Sequence, residues 1–169
     1  MPEMKYLGGY PEEIKRQVQS LVDNNTLSTI LLKKYAIAHD IRTDKALYHY
    51  ALQLKKEFLG NAEPVSKVIF DNKLHVIKHA LGLHTSISRV QGNKLKSKRE
   101  IRISSLFKNV PCEFLRMIVV HELAHFKESE HDRAFYKLCE YMEPNYHQFE
   151  FDLRLYLTHM DLHGAPLWR

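Results

Sequence analysis

Between Pro111 and His125 the chain carries a helical repeat with almost no polar face. Phe114, Ile118, His121 and His125 fall on one side of such a helix, while Val119, Val120 and Leu123 are apolar around the rest. A helix with this pattern has to be buried nearly all round, so the remainder of the fold must be built about it. Its polar exceptions are His121, Glu122 and His125, and burying polar groups without partners is costly. At about 3.6 residues per turn, His121 and His125 stand one turn apart on the same face, where two imidazole nitrogens can hold one metal ion at about 2.0–2.1 Å. Glu122 lies beside them but off that face, which suits a base acting on water at the metal rather than a third ligand. A catalytic zinc takes three protein ligands and leaves one position open. His131 is the best candidate for the third, because Glu128 to Glu130 can turn the chain back, with Glu128 or Glu130 as the alternatives.

Eleven histidines raise the chance of an accidental motif as well as of a true one. A His-Glu-x-x-His arises by chance in roughly 5% of chains of this composition, and a histidine at one fixed later position lowers that to about 0.4%. The metal reading therefore outweighs coincidence. His75 and His79 share the four-residue spacing but lack the glutamate, and they read as structural or surface residues. His39, His49, His84, His159 and His163 likewise read as bland residues with no part in the motif. Cys112 and Cys139 have no motif spacing and read as small buried hydrophobes, which argues against a disulfide-built secreted domain. Met142 and Met160 fit helical core stripes.

With 169 residues, 44% hydrophobic and 27% charged, the chain has the size and composition of one soluble domain, and intrinsic disorder is excluded. The longest apolar stretches, such as Met117 to Val120, fall far short of the roughly 20 residues a membrane span needs. The opening Met-Pro-Glu-Met-Lys has no apolar signal core. A cytoplasmic location and no membrane partner are expected.

The pattern predicts three helices first: Ile14, Val18 and Leu21 after Pro11, stopped by Asp23-Asn24-Asn25; then Leu27, Ile30 and Leu31; then Leu47, Ala51, Leu54 and Phe58, with Asp44 as N-cap and Gly60 as terminator. From Pro64 short β-branched runs take over, at Val68 to Phe70 and Thr85 to Val90, and a strand is predicted at about residues 99–104 with Ile101 and Ile103 on its buried face. After the histidine helix, two more are predicted, from about Asp132 to Met142 and from about Tyr146 to Met160, separated by Pro144. The class is α+β: N-terminal helices, a small central sheet, the histidine helix and two C-terminal helices. One domain over residues 1–169 is expected, helical to about residue 62, with the catalytic core from about 63 to 160.

The run His121-Glu122-Leu123-Ala124-His125, a short loop, His131 and then Phe135 resembles the YgjP-like metallopeptidase-domain family, which is related to the SprT-like and WLM zincins. The likeness extends over Glu100 to Val120 and on to His159, and the N-terminal half is similar to the bacterial YgjP subgroup. Ser88-Arg89-Val90-Gln91-Gly92 matches a family Ser-Arg-Trp-Gly segment in part, with Val90 in place of the tryptophan and Gln91 inserted. Metzincins share the histidine spacing but carry a glycine where Glu128 stands, so the chain is not placed among them. The resemblance implies a zincin-like fold and a zinc-dependent hydrolase, although another divalent metal could serve. His121, His125 and His131 would be its ligands and Glu122 its general base.

Three substrate classes follow. The family name implies a peptide. The bacterial YgjP-type proteins imply a nucleotide pyrophosphatase converting UTP to UMP and diphosphate. The SprT likeness implies a nucleic-acid-associated protease or binding module. A net charge of +5 and the basic run Lys94, Lys96, Lys98, Arg99 and Arg102 suit a nucleoside triphosphate or nucleic acid, although the run lacks the interleaved aromatics of a single-strand stacking platform. Its bland reading is a solvated loop. Tyr136, Tyr146, His147 and Arg102 are candidates for contacting substrate or a developing oxyanion.

Overall fold

In the computed structural model, residues 4–74 and 99–169 are described. After a 3₁₀ turn at Lys5–Leu7 come helices α1 (Glu12–Asp23), α2 (Leu27–Lys34) and α3 (Asp44–Leu59). Strands β1 (Val65–Asp71) and β2 (Arg99–Ser104) follow, then a second 3₁₀ turn at Ser105–Asn109. Helices α4 (Cys112–Ala124), α5 (Arg133–Met142) and α6 (Tyr146–His163) complete the chain. The molecule is α+β, as the residue pattern predicts. The two strands pair in parallel, with Val68 opposite Ile101 and Phe70 opposite Ile103. A parallel pair cannot be closed by a tight turn, so the long connection between β1 and β2 is a consequence of the pairing. The expected strand Thr85 to Val90 lies within that connection, outside the described residues, as do His75, His79 and His84.

Helix α4 is the centre of the packing. Phe114, Leu115, Met117, Val119, Val120, Leu123 and Ala124 have no exposed surface, and the helix is enclosed as its sequence requires. Elements α3, β2, α5 and α6 all pack against it. At its N-terminal end the Phe114 ring meets Tyr35, Tyr156 and Trp168, with the Tyr35 centroid at 4.9 Å and the Trp168 centroid at 5.7 Å. Trp168 donates its indole N–H to the Tyr35 carbonyl at 2.7 Å, so the C-terminal residues fold back over the core. Tyr35 also hydrogen-bonds the buried Asp152 of α6, which takes Lys34 Nζ at 2.7 Å and Gln148 Nε2 at 3.0 Å as well. His39 joins the loop before α3 to the turn before α4. The Ile41 N–H donates to its Nδ1 at 2.9 Å, which leaves Nε2–H to donate to the Phe107 carbonyl at 2.7 Å. Burial holds this imidazole below its usual pKa, in keeping with a neutral structural histidine.

Several local expectations are revised. Thr43, not Asp44, caps α3, its hydroxyl accepting from the Ala46 N–H at 3.1 Å. Asp44 is instead the first helical residue, and its carboxylate accepts from the Phe70 N–H at 2.9 Å, tying α3 to β1. Ile30 is exposed, so the buried stripe of α2 is Leu27 and Leu31. Cys112 is exposed while Cys139 is buried, because Cys112 is the first residue of α4 and stands at its rim. Helix α6 runs three residues past Met160, to His163, and stops where Gly164 adopts φ +66°, a left-handed turn that favours glycine.

The Phe114→Ala variant should lose about 3–5 kcal/mol, since it empties the centre of the aromatic cluster. Urea titration at fixed metal content checks this as a lower midpoint with an unchanged slope.

Candidate metal centre

The site forms where α4 ends. His121 lies in its last turn, and His125 is the capping residue just beyond, still in helical conformation at φ −65° and ψ −12°. Their rings come to a centroid separation of 5.0 Å, as four-residue spacing dictates. The chain then turns tightly, with the Lys127 and Glu128 N–H groups donating to the Ala124 carbonyl. It re-enters helix α5 at Asp132, whose carboxylate accepts from the Phe135 N–H at 3.0 Å. That cap fixes the residue before it. His131 Nε2 lies 3.1 Å from His125 Nε2 and 3.2 Å from His121 Nε2.

Behind the three imidazoles sits Phe135, fully buried, with ring centroids 4.9 Å from His121, 4.5 Å from His125 and 4.9 Å from His131. The aromatic residue of the sequence pattern is therefore the surface against which all three imidazoles pack. Glu122 is almost wholly buried on the same turn as His121.

Hydrogen bonds on the outer nitrogens determine what the inner ones offer. His125 Nδ1 is 3.0 Å from the Glu128 carbonyl, and a carbonyl can only accept. Nδ1 therefore carries the proton, and in the neutral ring Nε2 is left as a lone pair. His121 Nδ1 is 2.7 Å from the Tyr146 hydroxyl. Lone pairs packed this closely repel one another unless a proton or a cation lies among them. In a tetrahedral zinc site with Zn–N of 2.0–2.1 Å, neighbouring nitrogens stand roughly 3.3 Å apart. The donor set is thus suited to a borderline-soft divalent ion, and among the described residues His121, His125 and His131 are the group with ligand atoms close enough to hold one.

A residue outside the expected site completes it structurally. Arg99, at the start of β2, donates Nη1–H to the His125 carbonyl at 2.7 Å and Nε–H to Glu63 at 2.9 Å, and its guanidinium lies 4.9 Å from the centre of the Phe126 ring. A cation on the last carbonyls of a helix is favoured by the helix dipole, and here it secures the turn bearing His125. In the sequence Arg99 is one member of a basic run, and nothing local distinguishes it from its neighbours. Arg102 is engaged by Asp71 at 3.0 Å and by Glu100 at 3.3 Å. Tyr136 is half-buried, its centroid 6.4 Å from the His131 ring and 5.6 Å from the His147 ring. Burial raises the Tyr136 phenol above its usual pKa. His147 is exposed and contacts Glu140 at 2.7 Å. Tyr146 is fully buried, and its hydroxyl is on the Nδ1 side of His121, away from the converging Nε2 atoms. Burial first, and then the Glu150 charge, push its phenol well above the ordinary range. Lys94, Lys96 and Lys98 lie outside the described residues. A cavity of about 400 Å³ between the α1–α2 junction and the end of α6 contains none of the three histidines.

The YgjP-like metallopeptidase domain matches residues 65–156, just over half of the chain and the whole of this site. Over 162 residues the chain is 57% identical to the UTP pyrophosphatase of Escherichia coli (strain K12), covering 96% of this chain and 97% of that protein. No solved structure matches. No helix among the described residues is long and apolar enough to cross a membrane.

Replacing His131 with Ala should sharply lower the metal content of the purified protein, because two imidazoles alone hold a divalent ion poorly. Elemental analysis gives the answer, and full metal retention would shift the third ligand to Glu128 or Glu130.

Proposed function

The chain belongs to the YgjP-like family and is a hydrolase, and from that premise we propose that it is a zinc-dependent nucleotide pyrophosphatase that cleaves UTP to UMP and diphosphate. The observation carrying the hydrolytic chemistry is the convergence of three imidazole Nε2 atoms, two of the separations being 3.1 and 3.2 Å, with Glu122 on the same turn. The choice of substrate rests on the 57% identity to a protein named UTP pyrophosphatase.

His121, His125 and His131 would hold the metal, which when bound supplies a Lewis acid and makes water more acidic. Three histidines as ligands would leave room for water, as a catalytic rather than a structural site requires. Glu122 then takes the proton from the attacking water as general base. Water oxygen adds to the α-phosphorus while the bond from that phosphorus to the α–β bridging oxygen breaks, and diphosphate leaves with the bonding pair. Burial of Glu122 keeps the base out of bulk solvent, so its position on α4, and not diffusion of water, sets the direction of attack.

A triphosphate substrate brings several negative charges that must be met. The basic run Lys94, Lys96 and Lys98 provides cations in the sequence for that purpose, and the net charge of +5 favours capture of such an anion. Arg102 contributes less, since Asp71 and Glu100 already compensate it. Peptide hydrolysis is the second reading, supported by the family's metallopeptidase description. The same metal and base would serve it, with carbonyl carbon in place of phosphorus as the centre attacked.

The metal-loaded protein assayed against all nucleoside triphosphates and a peptide panel should release UMP and diphosphate from UTP. Glu122→Gln should keep its metal and fold and lose at least about 100-fold in turnover. Peptide cleavage with inert UTP would transfer the assignment to the second reading, and full activity of Glu122→Gln on its substrate would remove Glu122 from the mechanism.

A further inference from the structure

Helix α6 brings a polar face to the back of the metal centre. Tyr146, Glu150 and Arg154 recur every four residues and so share one side of that helix. The first touches a histidine ligand and the last touches the N-terminal segment, with Arg154 Nη1 donating to the Tyr6 carbonyl at 2.8 Å. Between them, Glu150 accepts from Arg154 Nη2 at 3.3 Å. The Tyr146 hydroxyl lies on the Nδ1 side of His121, away from the converging Nε2 atoms.

A hydroxyl can donate or accept, so the 2.7 Å contact between Tyr146 Oη and His121 Nδ1 admits two proton arrangements. In one, the phenol donates to Nδ1, and the neutral ring must then carry its proton on Nε2, where it blocks the metal position. In the other, Nδ1–H donates to the phenol oxygen and Nε2 is bare. His121 Nε2 faces His131 Nε2 at 3.2 Å, at the convergence that a cation would fill, so in the metal-binding ring the one proton lies on Nδ1 and the phenol oxygen accepts it.

Resting on the metal-centre reading of the preceding subsection, we infer that Tyr146 is a positioning residue: it accepts the Nδ1 proton of His121 and thereby holds the tautomer and ring orientation in which Nε2 can bind the cation. His125 is locked the same way by the backbone carbonyl of Glu128, so two of the three histidines have their outer nitrogen fixed, one by main chain and one by the Tyr146 side chain. The ring of Tyr146 lies nearly parallel to that of His121, at 17° and 6.4 Å, so removal of the hydroxyl alone leaves the packing in place.

The test is Tyr146→Phe, read by competition for zinc against a chelator of known affinity, with the thermal midpoint of the metal-free protein measured alongside. Loss of an outer hydrogen-bond partner of a metal-ligating histidine typically weakens the metal by 10–100-fold, and that drop is expected here with the metal-free midpoint little changed. In the zinc-loaded wild type, long-range proton–nitrogen NMR should show His121 protonated at Nδ1. A variant that binds zinc as tightly as wild type overturns the inference, as does a loss of metal-free stability with unchanged affinity, which marks a packing role only. Wild-type protein that takes up no zinc at all instead overturns the metal centre itself, so the two failures are separable.

Discussion

Everything in the site depends on the arrangement of three imidazoles at the end of a helix that is buried along nearly its whole length. Polar groups carried into such an environment are unfavourable unless each has a partner, and α4 satisfies this by placing His121 and His125 against His131, Tyr146 and the Glu128 carbonyl. The packing around the centre follows from the same constraint. Phe135 supplies the apolar floor under all three rings, and Arg99 restrains the last carbonyl of the turn that carries His125. A helix packed on nearly every side is a rigid means of holding His121 and His125 in place.

The active helix and its two flanking turns also connect the site to the rest of the molecule. Asp132 caps α5 and so places His131, while α6 reaches from Tyr146 beside His121 to Asp152 beside Tyr35 and on toward the C-terminal tail. The N-terminal helices, with no histidine in the centre, therefore act on it indirectly, through Asp152 and through the Arg154 contact with Tyr6. The three histidines lie between β2 and α6 in the chain, and α2 and α3 pack against α6 and α4 respectively.

What could be read from the residues alone was whatever is encoded at short range. The i, i+4 spacing of His121 and His125 and the apolar surround of α4 are local facts, and both carry through to the fold. So do the β2 alternation, with Ile101 and Ile103 inward, and the Asp132 start of α5. Contacts between residues far apart in the chain left no such trace. Arg99 against the His125 carbonyl, Asp44 against the Phe70 N–H and Trp168 against Tyr35 each join segments whose mutual approach no periodicity reports. The role of Tyr146 is intermediate. Its four-residue row with Glu150 and Arg154 is visible in the sequence, but that this face meets Nδ1 of His121 emerges only when α6 is packed on α4. Substrate choice was less legible still, because the same metal and base serve phosphorus and carbonyl centres alike.

The central claim is that His121, His125 and His131 together form the inner sphere of a single metal ion. X-ray absorption at the metal edge of the loaded wild-type protein tests it most directly. The account predicts one ion per chain with three imidazole nitrogens at about 2.0–2.1 Å, the imidazole multiple-scattering pattern, and one further light ligand. Sulfur scattering near 2.3 Å, or a shell without the imidazole pattern, would contradict it.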